Sequence, residues 1–429
     1  MATTQAVKCD EIRFVKELYP RLKPDDETIE RYRDSLEYLP PIVVARDGIL
    51  VDGYHRWQAH VREKAETIQA ENIGNLADAE IVRESIKRNA THGHQLSGKD
   101  KQRLAAKLWQ NLGHLTIPER IADLTKLLGV TDRRIRSWTD DVRKAEENER
   151  KEKAWDMWLD CHSYREIGEA VGKDHKTISD WAGDFRKNFQ NSPPPGATEK
   201  NPWGNVQHFN IWNFQTANKE DGAQSYFGAI PPQVVENLLW FYTEPGDVVV
   251  DLFAGSGTTV DVAKRMGRRV WASDRIGNKY SPNLPIHTHD ATTGWPSEAP
   301  KKPKLVLLDP PYWQQAENRY SSDPEDLGNM ELEAFDAAWG KVARATMDSG
   351  AERIAYIISP TFNKDDGSRT DHATSMSRIF TDLGWRIEQR IIVPYQTQQA
   401  TGAQVEWARK NKRLLTLYRD LVLLSPEML

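Results

Sequence analysis

The residues best equipped for chemistry stand in the run Leu305-Val306-Leu307-Leu308-Asp309-Pro310-Pro311-Tyr312. Four aliphatics read as a buried strand that ends in an acid, two prolines and a tyrosine. The exocyclic amino group of a base is a poor nucleophile, because its lone pair is delocalised into the ring. Asp309 and the carbonyl of Pro310 can accept its two hydrogens and favour a pyramidal nitrogen. Pro310 and Pro311 fix the backbone so that this carbonyl aims inward. Tyr312 offers a face on which a base can stack. A site of this kind acts by positioning and electrostatics. The adjacent Trp313 reads equally well as a stacking partner or as core.

A second cluster lies upstream. Val248-Val249-Val250-Asp251 reads as another buried strand, followed by Leu252-Phe253-Ala254-Gly255-Ser256-Gly257. Thr258 to Met266 reads as a helix, and Arg269 to Asp274 as a strand that again ends in an acid. This is a βαβ unit with a glycine-rich first turn and an acid about 20 residues on. The turn is D-x-F-x-G-x-G and not the dinucleotide form G-x-G-x-x-G. Asp251 would repel a pyrophosphate and suits a cationic or amine-bearing ligand. That moves the reading to S-adenosyl-L-methionine, a sulfonium that carries an ammonium group. Asp274 can bind two ribose hydroxyls.

Together these motifs make residues 205–425 resemble an amino-group DNA methyltransferase of the adenine-N6 or cytosine-N4 type. The resemblance implies a Rossmann-like α/β domain with a seven-stranded, mostly parallel sheet. It implies cofactor contacts from Asp251, Phe253, Ala254, Gly255, Ser256, Gly257 and Thr258. It gives Asp274 the ribose position and Asp290 the contact to the cofactor adenine. Pro232, in Ile230-Pro-Pro-Gln233, falls in the helix that packs on the methionine part. Asp309, Pro310, Pro311 and Tyr312 take the catalytic tetrad, on a base flipped out of the duplex. Aspartate in the first tetrad position favours adenine over cytosine. The order is unusual: the turn resembles members that place the tetrad strand first. No long insertion follows the tetrad; only Gln314–Leu332 and Thr361–Thr374 are loop-like.

Residues 8–100 resemble the ParB/sulfiredoxin-like superfamily. The matching stretches are Leu39-Pro-Pro-Ile-Val-Val, Ile49-Leu-Val-Asp-Gly-Tyr-His-Arg-Trp-Gln-Ala59 and Ser85-Ile-Lys-Arg-Asn-Ala-Thr-His-Gly93. An arginine and free N–H groups at a helix start make an anion site. The resemblance therefore makes Gly53, His55 and Arg56 candidate phosphate binders for CTP or ATP. Gln58 replaces the second arginine usual in ParB proteins, and Tyr54 replaces the sulfiredoxin cysteine. Asp47-Gly48 predicts a hairpin turn between two β-rich runs.

Between these halves the frame G-x-x-x-x-x-I-x-x-W occurs twice, 43 residues apart: Gly129, Ile135, Trp138 and Gly172, Ile178, Trp181. A short apolar helix precedes each glycine, which is the helix-turn-helix pattern. Arg133, Arg134, Arg136, His175, Lys176 and Thr177 then fall at exposed helix openings suited to phosphates and major-groove edges. Arg143–Lys153 reads as a solvated connecting helix. The domain reading is 1–95 ParB-like α+β, 96–190 helical with two helix-turn-helix units, 191–200 a proline-rich extended linker, and 201–429 catalytic.

The chain has 429 residues, a net charge of -5 and 28% charged residues. Mild acidity does not exclude DNA, because residues 101–150 hold 11 basic against 8 acidic residues. The two cysteines, Cys9 and Cys161, exclude a disulfide scaffold and a cysteine zinc site within one chain, so no metal is expected. No membrane span or signal-peptide core is present in the sequence, and a reducing cytoplasm is the expectation. Double-stranded DNA is the expected partner. A homodimer and a restriction or other DNA-processing partner are left open. The competing reading is a non-enzymatic ParB-like DNA-binding or regulatory protein with a degenerate methylase half. Methylation of RNA or protein is a third.

Overall fold

The computed structural model describes residues 4–21, 25–91, 96–202, 204–214, 230–313, 323–362, 368–395 and 401–426. Contacts divide the chain into two compact units, Met1–Glu149 and Arg150–Leu429.

The first unit opens with β1 (Thr4–Lys8), α1 (Asp26–Arg33), β2 (Ile42–Val44), β3 (Leu50–Asp52), α2 (Tyr54–Arg62) and β4 (Thr67–Asn72). The strands form a mixed sheet in the order β1-β4-β2-β3. Asp47 and Gly48 both have left-handed φ, 49° and 69°, in the turn joining β2 to β3, as Asp-Gly pairs favour. Helices α3 (Asp78–Thr91), α4 (Gly98–Asn111), α5 (Ile117–Leu128) and α6 (Asp132–Trp138) follow. Ser97 caps α4 through a reciprocal bond with Asp100, which satisfies two orphan amides. Gly129, at φ 59°, ends α5. The predicted inward residue Ile135 is fully buried in a core with Leu124, Leu128 and Trp109.

Helix α7 (Asp140–Leu159) spans the division between units. The second unit continues with α8 (Tyr164–Val171) and α9 (His175–Gln190). Gly172 ends α8 at φ 67°, and Ile178 and Trp181 are buried. Gly168 has a packing reason. A Cβ there would come within 2.6 Å of the Lys173 carbonyl oxygen, so only glycine lets the turn close over α8. The Asn191–Thr198 seam is not the extended spacer its prolines suggest. The Ala197 amide donates to Pro194 O at 3.0 Å, and Asn205 N reaches back to Pro195 O at 2.8 Å, folding the segment on itself.

The remaining elements of the second unit are α10 (Pro232–Tyr242), β5 (Val248–Asp251), α11 (Thr258–Arg265), β6 (Arg269–Asp274), β7 (Ile286–Thr288), β8 (Leu305–Leu308), α12 (Leu332–Asp348) and β9 (Ile354–Ile358). Then come β10 (Thr361–Phe362), β11 (Arg369–Thr370), α13 (His372–Asp382), β12 (Trp385–Pro394), α14 (Gly402–Lys410) and β13 (Tyr418–Pro426). The main sheet has seven strands in the order β12-β13-β9-β8-β5-β6-β7. Strands β5 to β9 are parallel, and β13 runs antiparallel between β9 and β12. Alternate residues serve two cores, as a sheet covered on both faces requires. Val249, Val270, Leu305 and Leu307 face α10 and α11. Val250, Trp271, Val306 and Leu308 face α12 and α13.

Helices α8 and α9 belong to this body. The guanidinium groups of Arg186 and Arg269 both lie over the ring of Trp158, at the end of α7, 5.7 and 5.4 Å from its centroid. Lys264 pairs with Asp160 at 2.5 Å. Gly246 and Gly267, which precede β5 and β6, lie directly against Arg186 and Phe189 of α9. The pair therefore docks at the amino ends of the parallel strands. Replacing Gly168 by alanine is expected to lower stability by about 1–3 kcal/mol, read as a drop in the denaturant midpoint. Unchanged stability would refute the close-approach argument.

Candidate active site

Chain order places a topological switch point in the sheet. From β5 the chain proceeds through β6 to β7 on one side, then crosses to β8 and β9 on the other. Ligands of open α/β sheets bind at the carboxyl ends of strands at such a point. Register lines up the acids there. Asp251 pairs with Leu307, two residues before Asp309, and with Ala272, two residues before Asp274. Three carboxylates thus end three adjacent strands at one edge.

Asp251 is buried, and its Oδ1 accepts the Phe253 amide at 2.9 Å. Burial pushes its carboxyl up to about 7, opposed by bonds from Thr259 and the Phe253 amide. Ala254, Ser256 and Thr258 are buried in the turn around Gly255. Gly257 starts α11 at φ 87°, and a Cβ there would meet Leu284 Cδ1 at 2.2 Å. Asp274 Oδ2 accepts the Gly255 amide at 2.9 Å and Oδ1 the Ile276 amide at 3.1 Å, tying the second acid to the turn. Burial raises its carboxyl above the usual range. Pro232 is buried in the first turn of α10. Asp290 lies just beyond β7. Its Oδ1 accepts the Thr292 amide at 2.9 Å, and its Oδ2 is 3.5 Å from Arg275 Nε.

Asp309 and Tyr312 are partly buried, Pro310 is buried and Pro311 is partly buried. The Tyr312 hydroxyl donates to Asp309 Oδ1 at 3.1 Å. Burial pushes the Asp309 carboxyl up to about 6, while the Arg419 guanidinium and the Tyr312 bond pull it down. Trp313 belongs to the core: its Nε1 donates to Met330 O at 2.8 Å, and its ring meets His372 edge-on at 5.5 Å.

Arg419 is the residue that sequence reasoning missed. It sits near the start of β13, 6% exposed, with its guanidinium carbon 4.6 Å from the Tyr395 ring centroid. Its Nε has no hydrogen-bond partner among the described residues. It acts electrostatically on both Asp309 and Tyr312. No local motif marks it, because only the antiparallel insertion of β13 brings it to this edge.

The other candidates lie apart from this edge or in the first unit. Gly53 caps α2 at φ 97°. The Arg56 guanidinium donates to Asp52 at 2.7 Å, and His55 Nε2 accepts the Asp25 amide at 2.9 Å. Arg133, Arg134 and Arg136 are exposed on α6. His175 and Lys176 are exposed on α9. The Thr177 hydroxyl is engaged with Asp174 at 2.8 Å in the helix cap.

Comparison with known proteins bears on this geometry. Residues 126–282 match a family model described as DNA methylase, of the N6/N4 class. The matched span takes in the turn from Asp251 to Gly257 and Asp274 and ends before the Asp309–Tyr312 tetrad; it supports the methyltransferase resemblance through the turn motif. The chain is also 29% identical over 103 residues to the type II methyltransferase M.BamHI of Bacillus amyloliquefaciens. That alignment covers 24% of this chain, which spans about one fifth (21%) of the relative's length. Solved structures with some likeness include a SAM-dependent methyltransferase from Archaeoglobus fulgidus, at TM-score 0.29 and 12% identity over 45% of this chain and 94% of that one. A Pnob8-like ParB-N domain has TM-score 0.27 and 12% identity over 32% of this chain and 68% of that one.

Replacing Arg419 by methionine is expected to raise the Asp309 titration midpoint above about 6. The carboxylate would lose its neighbouring cation while remaining buried. Carboxyl ¹³C NMR through a pH titration reads this, with Arg419→Lys restoring the midpoint in part. A midpoint that does not move would remove Arg419 from the site.

Proposed function

We propose that this protein transfers a methyl group from S-adenosyl-L-methionine to the exocyclic amino group of a flipped base in double-stranded DNA, adenine-N6 in preference to cytosine-N4. The observation that carries the reading is the juxtaposition of Asp251 and Asp309 at the switch point, on adjacent strands joined in register.

The residues fit the proposed donor. Asp251 is a buried carboxylate whose bonds come from Phe253 and Thr259, with no cation paired to it among the described residues, and is suited to an ammonium group. The left-handed turn at Gly257 keeps a side chain out of the space beside Leu284. Asp274 is held by two amides with lone pairs left for ribose hydroxyls. When bound, the donor supplies an electrophilic methyl group. On the protein side, Asp309 accepts one amino hydrogen and leaves the nitrogen lone pair directed at the methyl carbon. The Tyr312 hydroxyl holds the carboxylate in place, and Arg419 keeps it ionised in a low-dielectric site. Neither role requires a metal or an intermediate bound to the protein.

Asp309→Ala should abolish methyl transfer, assayed with tritiated donor on duplex DNA, and leave donor binding within a few-fold of wild type. Full activity would sink the mechanism. Donor binding should itself depend on pH, because Asp251 must be ionised to receive an ammonium group. With a carboxyl near 7, affinity should rise roughly fivefold between pH 6 and 7, below the range where an α-amino group deprotonates. Calorimetry across that range, with Asp251→Asn as the pH-independent control, checks it.

Tandem helix-turn-helix units would add contacts to DNA. The exposed Arg133, Arg134 and Arg136 support this for α5–α6; the exposed Lys176 and His175 of α8–α9 stand on a pair docked at the amino edge, so any contact they make falls on DNA away from the target base. Nucleotide binding at Gly53, His55 and Arg56 would require the Arg56–Asp52 pair to open.

A further inference from the structure

The chain between β12 and β13 leaves from the edge of the sheet that carries Asp251 and Asp309. Strand β12 is antiparallel to β13, which is antiparallel to β9, so β12 ends where β9 ends. The Tyr395 amide donates to Leu417 O at 2.8 Å and closes the base of the excursion. Within it, α14 has a reciprocal cap between Thr401 and Gln404 and buries none of its side chains. The hairpin β10–β11 leaves β9 at the same edge and is clipped to this excursion. The Phe362 and Trp407 rings meet edge-on at 5.5 Å. The Arg413 guanidinium lies 5.2 Å over Phe362, and Arg369 donates to Leu414 O at 2.6 Å.

A nine-residue helix without a buried face gains little from tertiary packing, and short helices are marginal alone. Its composition suits a partner. Arg409, Lys410, Lys412 and Arg413 are exposed, against a single acid, Glu406. This concentration stands in a catalytic half, residues 201–429, that holds 24 basic and 28 acidic residues overall. Lys412 adopts a left-handed φ of 51° at the helix end, a conformation that costs a non-glycine residue about 1 kcal/mol or more. Immediately beyond, Leu414 is 86% exposed, and Trp407 is 43% exposed. The α8–α9 pair docks at the opposite, amino edge. A duplex that delivers a base to Asp309 must meet the carboxyl edge.

We infer that α14 and the residues following it form a DNA-facing surface of the catalytic unit. Lys410 and Lys412 take backbone phosphates beside the target, and Leu414 enters the base stack beside the displaced nucleotide. Cations at this edge neutralise phosphates without reading sequence, and an apolar wedge fills the gap left by an extruded base. The inference rests on the duplex-DNA reading above.

The test uses the full chain and a fluorescent mixed-sequence duplex, titrated by anisotropy between about 50 and 200 mM salt. The double variant Lys410→Ala/Lys412→Ala is expected to bind at least about tenfold more weakly. Its slope of log affinity against log salt should be smaller by about 1.8, at about 0.9 per phosphate lost. Leu414→Ala should keep the slope and lose the fluorescence rise of a 2-aminopurine placed at the target position. A double variant with the wild-type slope and undiminished methyl transfer overturns the surface while leaving the proposed activity standing. Wild-type duplex binding with the expected slope change but no methyl transfer overturns the activity and leaves the surface. Loss of binding to phosphatidylserine vesicles with an unchanged duplex isotherm assigns the cations to lipid and refutes the inference. Absence of wild-type duplex binding refutes both.

Discussion

Two carboxylates that burial drives toward neutrality, Asp251 and Asp309, end neighbouring parallel strands. The rest of the second unit serves to keep them there and usable. Burial raises both carboxyls, to about 7 for Asp251 and about 6 for Asp309 even with their local partners in place, and a raised carboxyl is a poorer hydrogen-bond acceptor at neutral pH. The fold offsets that cost locally. Asp251 takes an amide from its own turn, and Asp309 takes a hydroxyl from Tyr312 and the field of Arg419. The flanking cores keep the register fixed, because a one-residue slip would exchange the residues that face α10 and α11 for those that face α12 and α13.

The same constraint explains why the chain inserts β13 between β9 and β12. An antiparallel strand starts where its parallel neighbours end, so its first residues arrive at the acidic edge. Arg419 and Asp420 are consecutive and point to opposite faces. Asp420 pairs with Arg390 at 2.9 Å, while Arg419 goes to the tetrad and the Tyr395 ring. One short stretch thereby supplies a buried carboxylate that pairs with the half-exposed Arg390 and secures the strand, and a buried cation that tunes the site.

The contiguous parts of the site were legible in the sequence. The strands Val248–Asp251, Arg269–Asp274 and Leu305–Leu308 carry their acids at their ends, and the structure has them within a residue of where the pattern puts them. The helix-ending glycines 129 and 172 were legible for the same reason, since a left-handed cap is a local demand. What depends on distant pairing was not. Arg419 gains meaning only from sheet order, and α14 lies where no apolar period marks a helix. The Asp-Pro-Pro-Tyr tetrad could be read from its chemistry, whereas the fate of Trp313 could not, because Met330, His372 and Phe335 enclose it from far downstream.

The repeated helical frame shows how similar local signals can meet different tertiary demands. In the first copy, Ile135 joins the core of the first unit with Trp109 and Leu124. In the second copy, Ile178 and Trp181 pack with Trp158, and Trp155 stacks on Trp158 at 5.2 Å and on Phe189 at 5.4 Å. That aromatic cluster, with Arg186 and Arg269 over Trp158, binds α8 and α9 to the amino edge of the seven-stranded sheet. The division of the chain therefore falls inside α7, ahead of the prolines that look like a boundary. A proline run marks where a helix must stop; it does not mark where contacts stop. Phe189, near the seam, reaches the turn at Gly267, so α9 is tied to the sheet through its last turn.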